Sequence, residues 1–155
     1  MIRVGLDSNI LAYVAGVCRS AEDEAKIARA RDTIAALGGK ASLIAPSQAL
    51  GELFVVLRRA GTAADQARAI VLEFGEALGG AGSDARTIAA AADLVVDHRL
   101  QFWDALIVTA AAEAGCSLLL SEDMQHGFVV RGITIVDPLR PDPHPKLARL
   151  LQSAG

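Results

Sequence analysis

Cysteine is nearly absent from this chain. Cys18 and Cys116 stand far apart, outside any CxxC or Cys/His cluster. That argues against a zinc site, and a chain of 155 residues buries enough core to need no disulfide. Long apolar runs are also missing, since no stretch approaches the ~20 residues of a membrane helix. The N-terminus lacks the charged start, apolar middle and cleavage site of a secretory leader. These absences lead us to expect a soluble cytoplasmic protein with no membrane contact. Positive charge is not in excess, and the formal net charge is −3. This argues against binding nucleic acid by bulk positive charge. It leaves room for a nucleic-acid enzyme whose acidic pocket is neutralised by metal. Aromatic residues make up only 4%, so the alanine-rich helices should pack closely on small side chains. Internal repeats, linkers and low-complexity blocks are absent too.

What is present is an alternation of short apolar strands and amphipathic helices. Ile2 to Leu6 reads as the central strand and ends in Asp7-Ser8-Asn9. A short helix, Ile10 to Ala15, follows. Ser20 with Asp23 and Glu24 opens a second helix that runs to Leu37 and stops at Gly38-Gly39. Ser42 to Ala45 reads as a strand. Pro46-Ser47 then starts a helix with Leu50, Leu53, Phe54 and Leu57 as its core stripe. A further helix, Ala63 to Leu78, completes a helical hairpin, and Gly79 to Gly82 reads as a flexible loop. Ser83 to Thr87 reads as a brief edge strand. Ile88, Ala91, Ala92, Val95 and Val96 mark the next helix, and Trp103 to Ala114 another. Cys116 to Leu120 and Gly132 to Val136 read as the last strands. Prolines from Pro138 onward stiffen an exit arm, and Leu147, Leu150 and Leu151 suggest a short C-terminal helix. This order implies a three-layer α/β domain with a parallel sheet and right-handed crossovers.

Four acids occupy comparable places in that pattern. Asp7 ends the first strand, Glu52 lies early in the helix after the second, Asp104 starts a helix, and Asp123 follows the strand Cys116 to Leu120. In an open parallel sheet, functional groups gather at the carboxyl ends of the strands. Each acid also has a plainer reading, Asp7 as a helix cap and Glu52 as a solvated surface acid. If the strands are neighbours, the four carboxylates converge on one rim. Converging carboxylates repel and must be quenched by protons, by Arg or Lys, or by a hard divalent cation. Oxygen ligands suit Mg²⁺ or Mn²⁺, and the matching chemistry is phosphodiester hydrolysis by an activated water.

In three of these segments and a fourth the chain resembles a known family. They are Gly5-Leu6-Asp7-Ser8-Asn9-Ile10-Leu11, Ser47 to Leu53, Phe102-Trp103-Asp104-Ala105-Leu106-Ile107, and Leu119 to Gly127. Their order and spacing resemble the PIN-domain nucleases, and within them the VapC-like toxin ribonucleases of bacterial type II toxin–antitoxin pairs. The resemblance covers essentially the whole chain. It implies a single PIN-like domain over residues 1–155, a three-layer α/β/α sandwich with a central parallel sheet of four to five strands. Residues from about 138 onward would form the exit arm and terminal helix. It implies that Asp7, Glu52, Asp104 and Asp123 are the catalytic, metal-binding acids. Asn9 would support the first Asp, and Ser121 would orient water or metal; Glu122 replaces Asp123 if the register moves by one. It further implies an Mg²⁺- or Mn²⁺-dependent endoribonuclease, an RNA substrate, a small cognate antitoxin and a homodimer.

Two other function classes compete. A phosphatase or phospho-acceptor regulator would also place Asp after a strand, but position 9 is Asn rather than the second acid of an Asp-x-Asp pair, and no Walker-type loop occurs. A non-catalytic RNA- or partner-binding module would not need the full acid set. Within the nuclease class, a housekeeping RNA-processing enzyme is the alternative to a toxin. Trp103 is read as core rather than as a base-stacking platform. His98, His126 and His144 read as surface or turn residues. Arg58-Arg59 and Arg99 read as helix-end charges rather than phosphate contacts. The hairpin from Pro46 to Leu78 is a candidate surface for dimerisation or the antitoxin.

Overall fold

The computed structural model describes residues 1–153. Thirteen elements follow one another in it: β1 (Ile2–Leu6), α1 (Ser8–Val14), α2 (Ala21–Leu37), β2 (Ala41–Pro46), α3 (Ser47–Arg59), α4 (Ala64–Ala77), β3 (Gly79–Ala81), α5 (Ala85–His98), α6 (Phe102–Glu113), β4 (Cys116–Leu120), β5 (Val129–Val130), β6 (Ile133–Val136) and α7 (Pro145–Gln152). The strands form one sheet in the order β3-β2-β1-β4-β6-β5, flanked by helices in three layers. All neighbours are parallel except β5 against β6. The sheet is therefore mostly parallel and has six strands, rather than the four to five expected.

β1 sits centrally because Val4, Gly5 and Leu6 are buried, as a strand covered on both faces requires. A Cβ at Gly5 would meet Leu119 Cδ1 at 3.1 Å and Ala111 Cβ at 3.2 Å. The missing side chain thus lets α6 press against the β1–β4 pair. α6 is apolar all round, and Ala105 through Ala111 are all buried, as befits a helix wedged into the core.

Several local expectations change. Ser83–Thr87 is not a strand. Asp84 caps α5, accepting from Thr87 N at 3.0 Å while Asp84 N donates to Thr87 Oγ1 at 3.2 Å. The edge strand lies just before it, in Gly79–Ala81, which the glycine content had marked as a loop. Its pairing with Ile44–Pro46 is made by backbone alone. The two-residue β5 escaped notice because it is too short to show a period. On α5 the buried face is Thr87, Ala91 and Leu94, while Ile88 is exposed and Val96 is 80% exposed. Trp103 is 49% exposed and is not a core residue. The arm after Pro138 leads into α7, which buries Leu147 and Leu150 beside α2. Lys146 Nζ donates to Thr134 Oγ1 at 2.6 Å, and Lys40 Nζ donates to Leu151 O. Among the described residues no helix is long and apolar enough to cross a membrane.

The orientation of α5 can be checked by truncation. Leu94→Ala should destabilise by about 2–5 kcal/mol, whereas Val96→Ala should stay within about 0.5 kcal/mol of the parent. Urea unfolding distinguishes the two. Equal costs would mean that α5 is rotated from the face described.

Candidate active site

The register places the first residues beyond three strands on one rim. Leu6 pairs with Leu120, and Leu120 with Val136, so Asp7, Ser121 and Asp137 are the next residues in line. Asp7 N donates to Leu120 O at 2.9 Å, and Ser121 N donates to Val136 O at 2.9 Å. α3 starts directly after β2, which brings Glu52 to the same rim. α6 leads into β4 and must run back along the sheet, so its first turn begins there too. Gln101 caps that turn, its Oε1 accepting from Asp104 N at 2.9 Å.

Asp7 is the anchor. It is 2% exposed, and each of its oxygens has partners. Oδ1 accepts from Ser8 N at 2.7 Å, which makes Asp7 the N-cap of α1. Oδ2 accepts from Ser121 Oγ at 2.7 Å and from Asn9 Nδ2 at 3.3 Å. Oδ1 also accepts from Ser8 Oγ at 3.4 Å, so every carboxylate lone pair has a donor, and a ligand role would need one of the two longer contacts to give way. Ser121 is fully buried, and its hydroxyl also accepts from Met124 N at 3.3 Å.

Asn9 joins the two ends of the acidic set. Its Oδ1 accepts from Glu122 N at 3.1 Å, which fixes the amide orientation. Its Nδ2 group then donates to Asp7 Oδ2 and to Asp123 Oδ2, each at 3.3 Å. Glu122 is turned elsewhere. Tyr13 OH donates to its Oε1 at 2.7 Å, and Lys26 Nζ pairs with its Oε2 at 2.9 Å. Asp123, not Glu122, is the acid that shares Asn9 with Asp7. Asp137 is on the rim as well, but its Oδ1 accepts from Leu139 N at 2.9 Å and its Oδ2 faces Arg140. Glu52 Oε1 accepts from Gln48 Nε2 at 3.4 Å.

The electrostatics tie the four acids together. Burial is the main cause that lifts the Asp7 carboxyl to about 6, with Ser121 and Ser8 pulling it down and Asp104 and Glu52 adding to the rise. Asp104 is also raised, first by burial and then by Glu52 and Asp123. The described ion pairs engage Glu122 and Asp137 and none of these four. The donor set thus consists of hard oxygens with unbalanced negative charge, which fits a divalent cation such as Mg²⁺ or Mn²⁺. Among the described residues no three His, Cys, Asp or Glu side chains are already drawn to ligand spacing. Glu52, Asp104 and Asp123 retain solvent exposure.

Two clefts flank the rim. One, of about 660 Å³, is lined by Asn9, Tyr13, Arg19, Glu122 and Asp123. The other, of about 480 Å³, is lined by Gln48, Gly51, Glu52 and Trp103. Ser8, Val56 and Arg59 border both. Tyr13, Lys26 and Gln48 were missed by sequence reasoning. The one available signal is the spacing of Asn9 and Tyr13, four apart on α1 and hence on one face.

The PIN domain profile matches residues 4–127. No curated protein matches the chain in sequence. Among solved structures, VapC20 of Mycobacterium tuberculosis, a toxin that cleaves the sarcin–ricin loop, superposes with a TM-score of 0.61 at 16% identity, over 77% of this chain and 89% of that one. VapBC2 from Rickettsia felis, bound to a DNA fragment from its promoter, superposes with a TM-score of 0.64 at 14% identity, over 86% of this chain and 97% of that one. At such identities the likeness is one of fold.

The buried acid makes a signed prediction. Folded Asp7 holds its proton up to about pH 6, while the unfolded residue releases it near 3.8. The folded state binds more protons in that window, so stability falls as pH rises through it and stays lower above pH 6. In EDTA, the parent should therefore lose about 1–3 kcal/mol of stability between about pH 4 and pH 8 that Asp7→Asn does not lose, on top of the pH-independent cost of turning an amide NH2 toward the donors around Asp7. Calorimetry at both pH values reads this. A variant with the same pH dependence as the parent would show that Asp7 is not electrostatically strained.

Proposed function

The chain belongs to the PIN-domain family, and we propose that it is an Mg²⁺- or Mn²⁺-dependent endoribonuclease, the toxin of a toxin–antitoxin pair. The observation that carries this is the rim itself, where buried Asp7 feels Asp104 and Glu52, and Asp104 feels Asp123, with no cation among the described residues paired to any of them. The VapC fold neighbours support the ribonuclease and toxin reading, and a VapB–VapC pair among them supports an antitoxin partner.

In this reading Asp7, Glu52, Asp104 and Asp123 would hold the ion. When bound, it would supply the charge that keeps four carboxylates ionised, polarise a phosphoryl oxygen and acidify a water. The chain's own residues do the rest. Ser121 and the Ser8 amide fix both oxygens of Asp7 in one orientation. Asn9 holds Asp7 and Asp123 at a set separation by donating to both. Lys26 and Tyr13 keep Glu122 out of the set. Positioning of the scissile phosphate against a preset charge array is the main source of rate in phosphoryl chemistry. The α3–α4 hairpin, with Val55 and Leu72 exposed, is the surface we assign to a second copy or to the antitoxin.

The test is cleavage of a labelled mixed-sequence RNA. Cleavage should require Mg²⁺ or Mn²⁺ and vanish in EDTA. Asp7→Asn, Asp104→Asn and Asp123→Asn should each lose about a hundred-fold or more, while Glu122→Gln should stay within about ten-fold of the parent. EDTA-resistant cleavage, or full activity in Asp7→Asn, would refute the site. The toxin role predicts growth arrest on expression that co-expression of the neighbouring open reading frame relieves. Unimpaired growth with an active nuclease would point to housekeeping RNA processing.

A further inference from the structure

Trp103 is the chain's only tryptophan, and it is 49% exposed although most of α6 behind it is buried. It adjoins Asp104 in the first turn of the helix and lines the cleft that also holds Glu52. The Phe102 ring meets it edge-on, with centroids 5.0 Å apart and planes at 78°, which limits the indole's tilt. Arg59 borders this cleft and the one beyond the acids. Unlike Arg58, which donates to Thr62 O at 3.0 Å, Arg59 makes no side-chain hydrogen bond or ion pair among the described residues. Gly51 adds a second observation. It lies inside α3, where glycine weakens a helix. Its backbone is not in the left-handed region, and a Cβ there would meet nothing within 4 Å. Neither packing nor conformation requires a glycine, and its effect is to leave the cleft wall open beside Glu52.

An exposed indole, a free guanidinium and an open wall next to a phosphodiester site match one ligand chemistry. Stacking on an aromatic face needs a base whose own face is uncovered, and paired bases in an A-form helix cover theirs. We propose that Trp103 stacks an unpaired base next to the scissile phosphate and that Arg59 grips a neighbouring phosphate. This rests on the ribonuclease reading above and adds to it the two residues that hold the strand beside the acids.

Because no other tryptophan contributes, emission reports on this position alone. The experiment titrates full-length Asp7→Asn protein with a short unstructured RNA oligomer, its duplex and an abasic oligomer of the same length. Anisotropy of the labelled RNA follows binding in parallel. The single strand should quench the emission saturably, the duplex and the abasic oligomer should not, and adding Trp103→Ala should weaken single-strand binding about ten-fold. Trp103→Phe should restore most of that loss. Arg59→Gln should weaken binding to the abasic oligomer as well, because a phosphate contact is blind to the base. Gly51→Met, which fills the cleft without touching the core, should weaken binding while helical content and melting temperature hold. Single-strand binding that leaves emission unchanged, with Trp103→Ala as tight as the parent, would overturn the stacking while cleavage and metal dependence stand. Binding of none of the three RNAs would overturn it together with the ribonuclease reading.

Discussion

The hydrogen bond from Ser121 Oγ to Asp7 Oδ2 is the contact on which the rim depends. It joins the residue after β1 to the residue after β4, and it sits on a strand pairing that puts both just beyond the sheet. A carboxylate buried this deeply is tolerated only with its lone pairs occupied. Ser8 N, Ser121 and Asn9 occupy them. The bonds cannot fully offset the lost solvation, which is why the carboxyl remains raised. The strand pairing, the cap of α1 and the acidic pocket are thus held by one set of bonds.

The same economy separates two adjacent acids. Glu122 and Asp123 follow β4 consecutively, and a turn there aims them in different directions. Glu122 is taken by Tyr13 from α1 and Lys26 from α2, which ties both helices to the loop. The Glu122 amide at the same time donates to Asn9, orienting the side chain that reaches Asp123. The ion pair with Lys26 is partly exposed, so its worth lies in orientation more than in stability. Tyr13, raised to about 12 by burial and by Glu122, stays a donor at neutral pH.

α6 does two jobs that its composition separates along its length. From Ala105 to Ala111 it is buried on every side and carries the core, with Gly5 allowing its close approach to β1. Its first turn emerges at the rim and carries Asp104 with Trp103 beside it. A helix anchored over most of its length presents its first turn rigidly, which suits a site that works by preset geometry.

The sequence by itself determined the order of the main strands and helices and the residues that end them, because apolar period, caps and glycine stops are local properties. That was enough to place Asp7, Asp104 and Asp123 at element ends and Glu52 early in its helix, and the family resemblance added Asn9 and Ser121, but neither ranked them. Only the tertiary structure decided that Glu122 faces Tyr13 and Lys26 while Asp123 shares Asn9 with Asp7, since those partners lie far away in the chain, Tyr13 at 109 and Asn9 at 114 positions. It likewise decided that Trp103 faces a cleft, that Val96 faces solvent, and that two glycines and an alanine form an edge strand. Periodicity tells which residues share a side of a helix or strand. Which side is covered, and which carboxylates meet, depends on how the layers close over one another.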